Sequence, residues 1–219
     1  MNAASLQSGP IAPGEIVTIY GTGIGPDKGV SAQFDAKGLL PTTLGGVQVL
    51  FDGVLAPLIY VQASQISVQA PYTVAAGDTT HVQVSYQGQI VALLDPSVAA
   101  AAPGLFAAVV NADGSFNSLG SPAPRGSSIY LYGTGEGLAV NPSLLGTAAQ
   151  APYAVPKLPV SLKIGGAAVA IVSAAAAPGQ AGILQVTAKV PGSSVPSGPA
   201  TVELTVGGVA APPITIWLK

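Results

Sequence analysis

A chain of 219 residues has room for one large domain or two of about 100–110 residues. Only 7% of its residues are charged and the formal net charge is −2, with no cluster of Lys or Arg, which argues against binding to nucleic acid or to an anionic membrane surface. The chain has no cysteine, which excludes a disulfide framework and thiolate metal sites and is compatible with a bacterial exported protein.

Met1 is followed by "NAASLQSG", which has neither the basic nor the apolar region of a secretion signal, so either a leader has been removed or the protein is cytoplasmic, and the first is the expectation. In "IVTIYG" (16–21), Ile16, Thr18 and Tyr20 alternate with Val17 and Ile19, a strand that is apolar on both faces. The glycine phrase "GTGIGP" (21–26) follows. "GGVQVLFDG" (45–53) reads as a strand entering a hairpin turn at Asp52-Gly53. "THVQVSYQG" (80–88) puts Val82, Val84 and Tyr86 on one face and His81, Gln83 and Ser85 on the other, the half-buried pattern of an antiparallel sheet. "AAAAPGLF" (99–106) is a small-residue stretch ending in Pro-Gly, and "NADG" (111–114) is a further turn. "SAAAAPGQAG" (173–182) is rich in Ala, but Pro178 and the glycines limit any helix there to about a turn. In "TVELTVGG" (201–208), Val202, Leu204 and Val206 point inward. Turn signals recur about every 8–12 residues, the spacing of a β-sandwich. The longest uncharged apolar stretch, 98–110, is broken by Pro103 and Gly104 and is too short to span a membrane.

The chain also repeats itself. "IVTIYGTGIGP" (16–26) returns as "SIYLYGTGEGL" (128–138), "LPTTLGGVQVLFDG" (40–53) as "LPVSLKIGG" (158–166), and "VQVSYQG" (82–88) as "VELTVGG" (202–208). The offset grows from 112 to 120, so the second copy carries extra residues in its mid-domain loops. The fold expected is all-β, with two tandem immunoglobulin-like sandwiches at 1–103 and 104–219, held in a fixed relation because the connector is short and apolar.

"PGEIVTIYGTGIG", followed by a Gly-Gly-Val strand, "QISVQAP" (65–71) and "VQVSYQG", resembles the immunoglobulin-like domains called IPT/TIG. With "NAAS" (2–5), "LPTTLGGV" (40–47) and "APGLF" (102–106), the chain also resembles an uncharacterised C-terminal domain family of large secreted proteins of soil bacteria. The resemblance implies a sandwich at the end of an exported protein, secreted or at the cell surface, and implies no activity. The second copy departs from the pattern at "GILQVTAKVP" (182–191), where a ligand contact of the first copy could be missing.

Candidate chemistry is sparse. "GTGIGP" lacks the Lys and the helix that a phosphate loop needs, and Pro26 stands where a dinucleotide fingerprint has its third glycine, so Gly21, Gly23, Gly133 and Gly135 are read as structural turn residues at a corner built twice. His81 is the sole histidine, and no Gly-x-Ser-x-Gly accompanies it. The nine carboxylates are scattered, and a glycosidase pair would have to be assembled in space from a chain with 5% aromatics. "NADGSFN" (111–117) suits a plain hairpin better than a calcium loop, although Asp113 leaves a weak calcium site open. Among the aromatics, Tyr20 and Tyr132 sit at equivalent strand ends and read as core or corner residues, whereas Tyr72 and Tyr153 follow prolines on loops and are the candidate ligand-binding pair.

The expectation is therefore a protein that is not an enzyme and carries no cofactor or metal. It would be a structural or adhesive module acting as a rigid spacer or a self-assembling, filament-forming subunit, with protein partners, either copies of itself or neighbouring domains. The alternative is a carbohydrate-binding module appended to a secreted enzyme, with a polysaccharide partner.

Overall fold

The computed structural model describes residues 1–192 and 194–219. Among these residues the chain is all-β, with no α-helix and hence none long and apolar enough to cross a membrane. In the first half, one sheet runs β1 (Ile16–Tyr20), β6 (Gln65–Gln69), β5 (Leu58–Gln62), β2 (Val30–Ser31). The facing sheet runs β4 (Val54–Leu55), β3 (Val47–Phe51), β7 (Val82–Tyr86), β8 (Gln89–Leu94). In the second half, β10 (Val110–Asn111), β11 (Ser128–Thr134), β17 (Leu184–Lys189) and β16 (Ile171–Ala176) form one sheet, with β9 (Gly104–Leu105) also paired to β11. Its partner is β15 (Ala167–Ala168), β14 (Val160–Ile164), β18 (Gly198–Val206), β19 (Val209–Ala210), with β20 (Ile214–Leu218) on β18. The small ribbon β12 (Ala139–Val140) and β13 (Val155–Pro156) completes the set.

The internal repeat of the sequence is a repeat of ladders. β1 pairs antiparallel with β6 as β11 does with β17, and β3 pairs with β7 as β14 does with β18. Even the irregularity recurs: β5 is bulged between Leu58 and Tyr60, and its counterpart β16 between Ile171 and Ser173. The sheets close on two separate apolar cores. One is built around Phe51, Leu58, Val61, Ile66, Val68 and Val84, the other around Leu131, Ile164, Leu184, Val186, Leu204 and Ile216. Fully burying one such aliphatic side chain is worth about 1.5–3 kcal/mol, which is what holds short strands of modest propensity in register. The alternation read from "TVELTVGG" is present, with Val202, Leu204 and Val206 buried.

Three details differ from the sequence reading. The Ala-rich 173–182 stretch is an edge strand over Ser173–Ala176 rather than any part of a helix, because the ladder to β17 and the bond from the Ala176 N–H to the Ala154 carbonyl outweigh alanine's weak strand preference. Ser85 is buried instead of facing solvent, beside a bulge in the neighbouring β8 where Val91 is the extra residue between the partners of Val84 and Ser85. Tyr20 and Tyr132 are not core residues. They lie on outward sheet faces opposite Gln65 and Gln185, and Tyr20 is 53% exposed. Strand alternation explains this, since Val17 and Ile19 take the inward face of β1.

Candidate functional site

The residues that carry unusual chemistry converge where the two halves meet. The connector lies directly on the glycine run of the second copy. A Cβ on Gly133, Gly135 or Gly137 would fall 2.5, 2.1 or 1.9 Å from the carbonyl oxygen of Gly104, Ala102 or Ala100. Gly135 and Gly137 also hold φ of +87° and +79°. In the first copy the same letters work differently. Gly23 has φ +69° and open space around it, and Gly21, without a positive φ, makes room for the Ile24 side chain. Gly133 likewise lacks a positive φ and lies within β11, so the repeated phrase is not the same corner in both copies.

Around the connector the halves are tied by hydrogen bonds. The Ile16 N–H donates to Thr134 Oγ1 at 2.9 Å, and that hydroxyl donates to the Gly182 carbonyl at 2.8 Å. Buried Gln69 donates from Nε2 to the Gly14 carbonyl and accepts the Gly146 N–H at its Oε1, at 3.0 Å. The Leu40 N–H donates to the Gly146 carbonyl and the Ala148 N–H to the Gly38 carbonyl, both at 2.9 Å. Asn2 Nδ2 donates to the Ala102 carbonyl at 2.9 Å.

Two carboxyl groups sit in this junction. Glu15 is fully buried; its Oε2 accepts the Ala12 N–H at 2.7 Å, while Oε1 has no partner. Burial pushes its carboxyl up to about 8, against the opposing pull of the Ala12 N–H, the Asn2 amide and the Met1 ammonium. Glu136 is half-buried and lines a cavity of about 20 Å³ with Gln69 and Tyr72; burial raises its carboxyl to about 7, and its charge in turn raises Glu15. A cavity of this size holds about one water and no sugar ring.

Tyr72 belongs to this junction. Its ring lies against Gly14, its hydroxyl receives Gln69 Nε2 at 3.4 Å, and burial first, then Glu136, raises it to about 12. Tyr153 is 39% exposed and does not line the cavity. Elsewhere, exposed His81 places Nδ1 2.5 Å from Asp95 Oδ1, and the hydrogen bond to that carboxylate raises its pKa. Asp113 accepts the Ser115 N–H and hydroxyl in a turn, which lowers its pKa. Asp52 does not bond its own backbone as a hairpin Asp would; its carboxylate accepts the Thr80 hydroxyl and the His81 N–H. Among the described residues, no three His, Asp or Glu side chains converge as metal ligands would. The sequence reading missed the meeting of Glu15 and Glu136. A lone carboxylate inside an apolar strand entry, "PGEIVTIY", is the signal that was available.

The sequence profile of the IPT/TIG domain family matches residues 1–98. The match covers a little less than half of the chain and falls on its first sandwich. Glu15, Gln69 and Tyr72 all lie within the matched residues. No curated protein matches the sequence. Among solved structures, the chain is similar to SGBP-B from a complex xyloglucan utilization locus in Bacteroides uniformis, at 15% identity and TM-score 0.33, covering 96% of this chain and 46% of that one. It is similar to the surface glycan-binding protein PbSGBP-B from Prevotella bryantii, at 14% identity and TM-score 0.30, covering 98% and 39%. It is also similar to the surface layer protein SbsC, domains 4–9, at 14% identity and TM-score 0.29, covering 99% and 30%. The chain therefore spans less than half the length of each, and at these values the likenesses say nothing of what it binds.

Proposed function

We propose that this chain is a non-catalytic structural and adhesive module of an exported bacterial protein. In this reading two tandem immunoglobulin-like sandwiches, 1–103 and 104–219, form a rigid spacer at the cell surface. The observation that carries it is the junction, where a connector without slack is flanked by bonds from Thr134, Gln69 and the Leu39–Thr147 bridge, so that the units are tied at more than one line. A flexible linker would leave such buried donors unpaired. The free edge of β8 supports a self-associating surface: Ile90, Val91, Leu93 and Leu94 are exposed on an edge strand with no charge and no proline.

Small-angle scattering across a concentration series, with negative-stain electron microscopy of the pure protein, tests both parts. One elongated conformation supports the spacer, and ordered multimers at high concentration support assembly. A distribution of inter-unit angles defeats the first part, and a monomer at every concentration without fibres defeats the second.

A further inference from the structure

Beside the junction, and separate from its buried acids, runs an open groove. It has two depressions of about 420 and 480 Å³ that share Phe106, Gln180 and Ile183, so they form one trough crossing from the first sandwich to the second. Each falls in the range of about 300–1,000 Å³ in which small-molecule sites lie. Phe34 and Gln65 line the first-sandwich end, Phe106 and Gln180 the middle, and Tyr132 and Gln185 the far end. Phe34 is 38% exposed, and Phe106 and Tyr132 are half-buried, so each ring is anchored yet still open to solvent.

No lining residue of either depression carries a charge. Among the described residues, nothing hydrogen-bonds the carboxamides of Gln65 or Gln180, and Gln185 has only a 3.5 Å contact to Thr187. The trough lies on sheet faces where the β1–β6 and β11–β17 ladders already occupy the backbone groups, so an added peptide strand would find no free edge in it. The absence of cationic side chains leaves an anionic ligand without a counter-charge. What remains is a ligand with apolar C–H faces for the rings and many neutral hydroxyls for the amides, each of which donates and accepts.

We propose that this trough binds a neutral polysaccharide, held as an extended chain across both sandwiches through Phe34, Phe106 and Tyr132 with Gln65, Gln180 and Gln185. The site is distinct from the pair Tyr72 and Tyr153, and it does not depend on self-association.

The test is affinity electrophoresis of the whole chain in gels containing barley β-glucan, hydroxyethyl-cellulose, galactomannan or dextran, with alginate as the anionic control. At least one neutral polymer should retard migration, and alginate should not. Phe106→Ala and the surface variant Gln180→Ala should each weaken retardation by roughly tenfold or more, as loss of a central contact does. Unchanged melting curves would separate this loss from misfolding. Tyr153→Ala should leave retardation unchanged. No retardation by any neutral polymer, retardation by alginate alone, or retardation indifferent to Gln180→Ala would overturn the proposal. So would a dimer in light scattering that Phe34→Ala or Gln180→Ala converts to monomer, because a second copy would then occupy the trough.

Discussion

Glu15→Gln offers a direct measure of what the buried acid costs. Because burial holds the folded carboxyl near 8 against 4.5 for the free group, the native state binds more protons than the unfolded one between those values. Stability from this group is therefore fully present below about pH 4.5 and is lost as pH rises toward 8. Integrating one proton over that interval, at about 1.4 kcal/mol per pH unit, gives a loss of up to about 4 kcal/mol between pH 5 and pH 9. Gln keeps the acceptor for the Ala12 N–H but sets an amide donor where Oε1 has no partner, a cost of about 1–3 kcal/mol at every pH. The variant should thus be equal or weaker at pH 5 and stronger at pH 9, its curve crossing that of the wild type. Urea unfolding at pH 5, 7 and 9 reads this; the coupling of Glu15 to Glu136 and to the Met1 ammonium is part of the difference read. Parallel stability profiles for the two proteins would refute the reasoning.

Thr134→Val keeps the side-chain shape but leaves the Ile16 N–H and the Gly182 carbonyl unpaired, and should lower stability by about 2–4 kcal/mol in chemical denaturation. Gly137→Ala, with a Cβ 1.9 Å from a backbone oxygen at positive φ, should cost more than about 3 kcal/mol, whereas Gly23→Ala, strained only by its φ of +69°, should cost about 1 kcal/mol; equal melting temperatures would contradict this. The raised pKa of His81 should be visible by NMR titration and should fall in Asp95→Asn. The stability this pair adds is complete below the ordinary histidine range and is lost as pH rises through the folded value.

The all-β class, the strands around Val49, Val84 and Leu204, and the doubled ladder were legible because a period of two and its recurrence are local signals. The junction was not. Thr134 reads as one more strand threonine, and nothing in the letters says that its hydroxyl meets Ile16. The extra residues of the second copy were noticed as loop length, yet their role is to place Gly146–Ala148 against Gly38–Leu40. Tyr72 and Tyr153 attracted notice as loop aromatics, while the trough drew its rings from Phe34, Phe106 and a strand tyrosine. Long-range convergence of this kind leaves no periodic trace in the sequence.

The bond from Ile16 to Thr134 joins residues 118 apart, and that from Gly146 to Gln69 joins residues 77 apart. A nascent amino-terminal half leaving a ribosome or a translocation channel therefore carries unfinished business: an orphan amide and an idle glutamine waiting for a sibling not yet made. The two cores are separate, so the first sandwich can close while these groups are held by water, and the arrival of the second exchanges that water for protein partners.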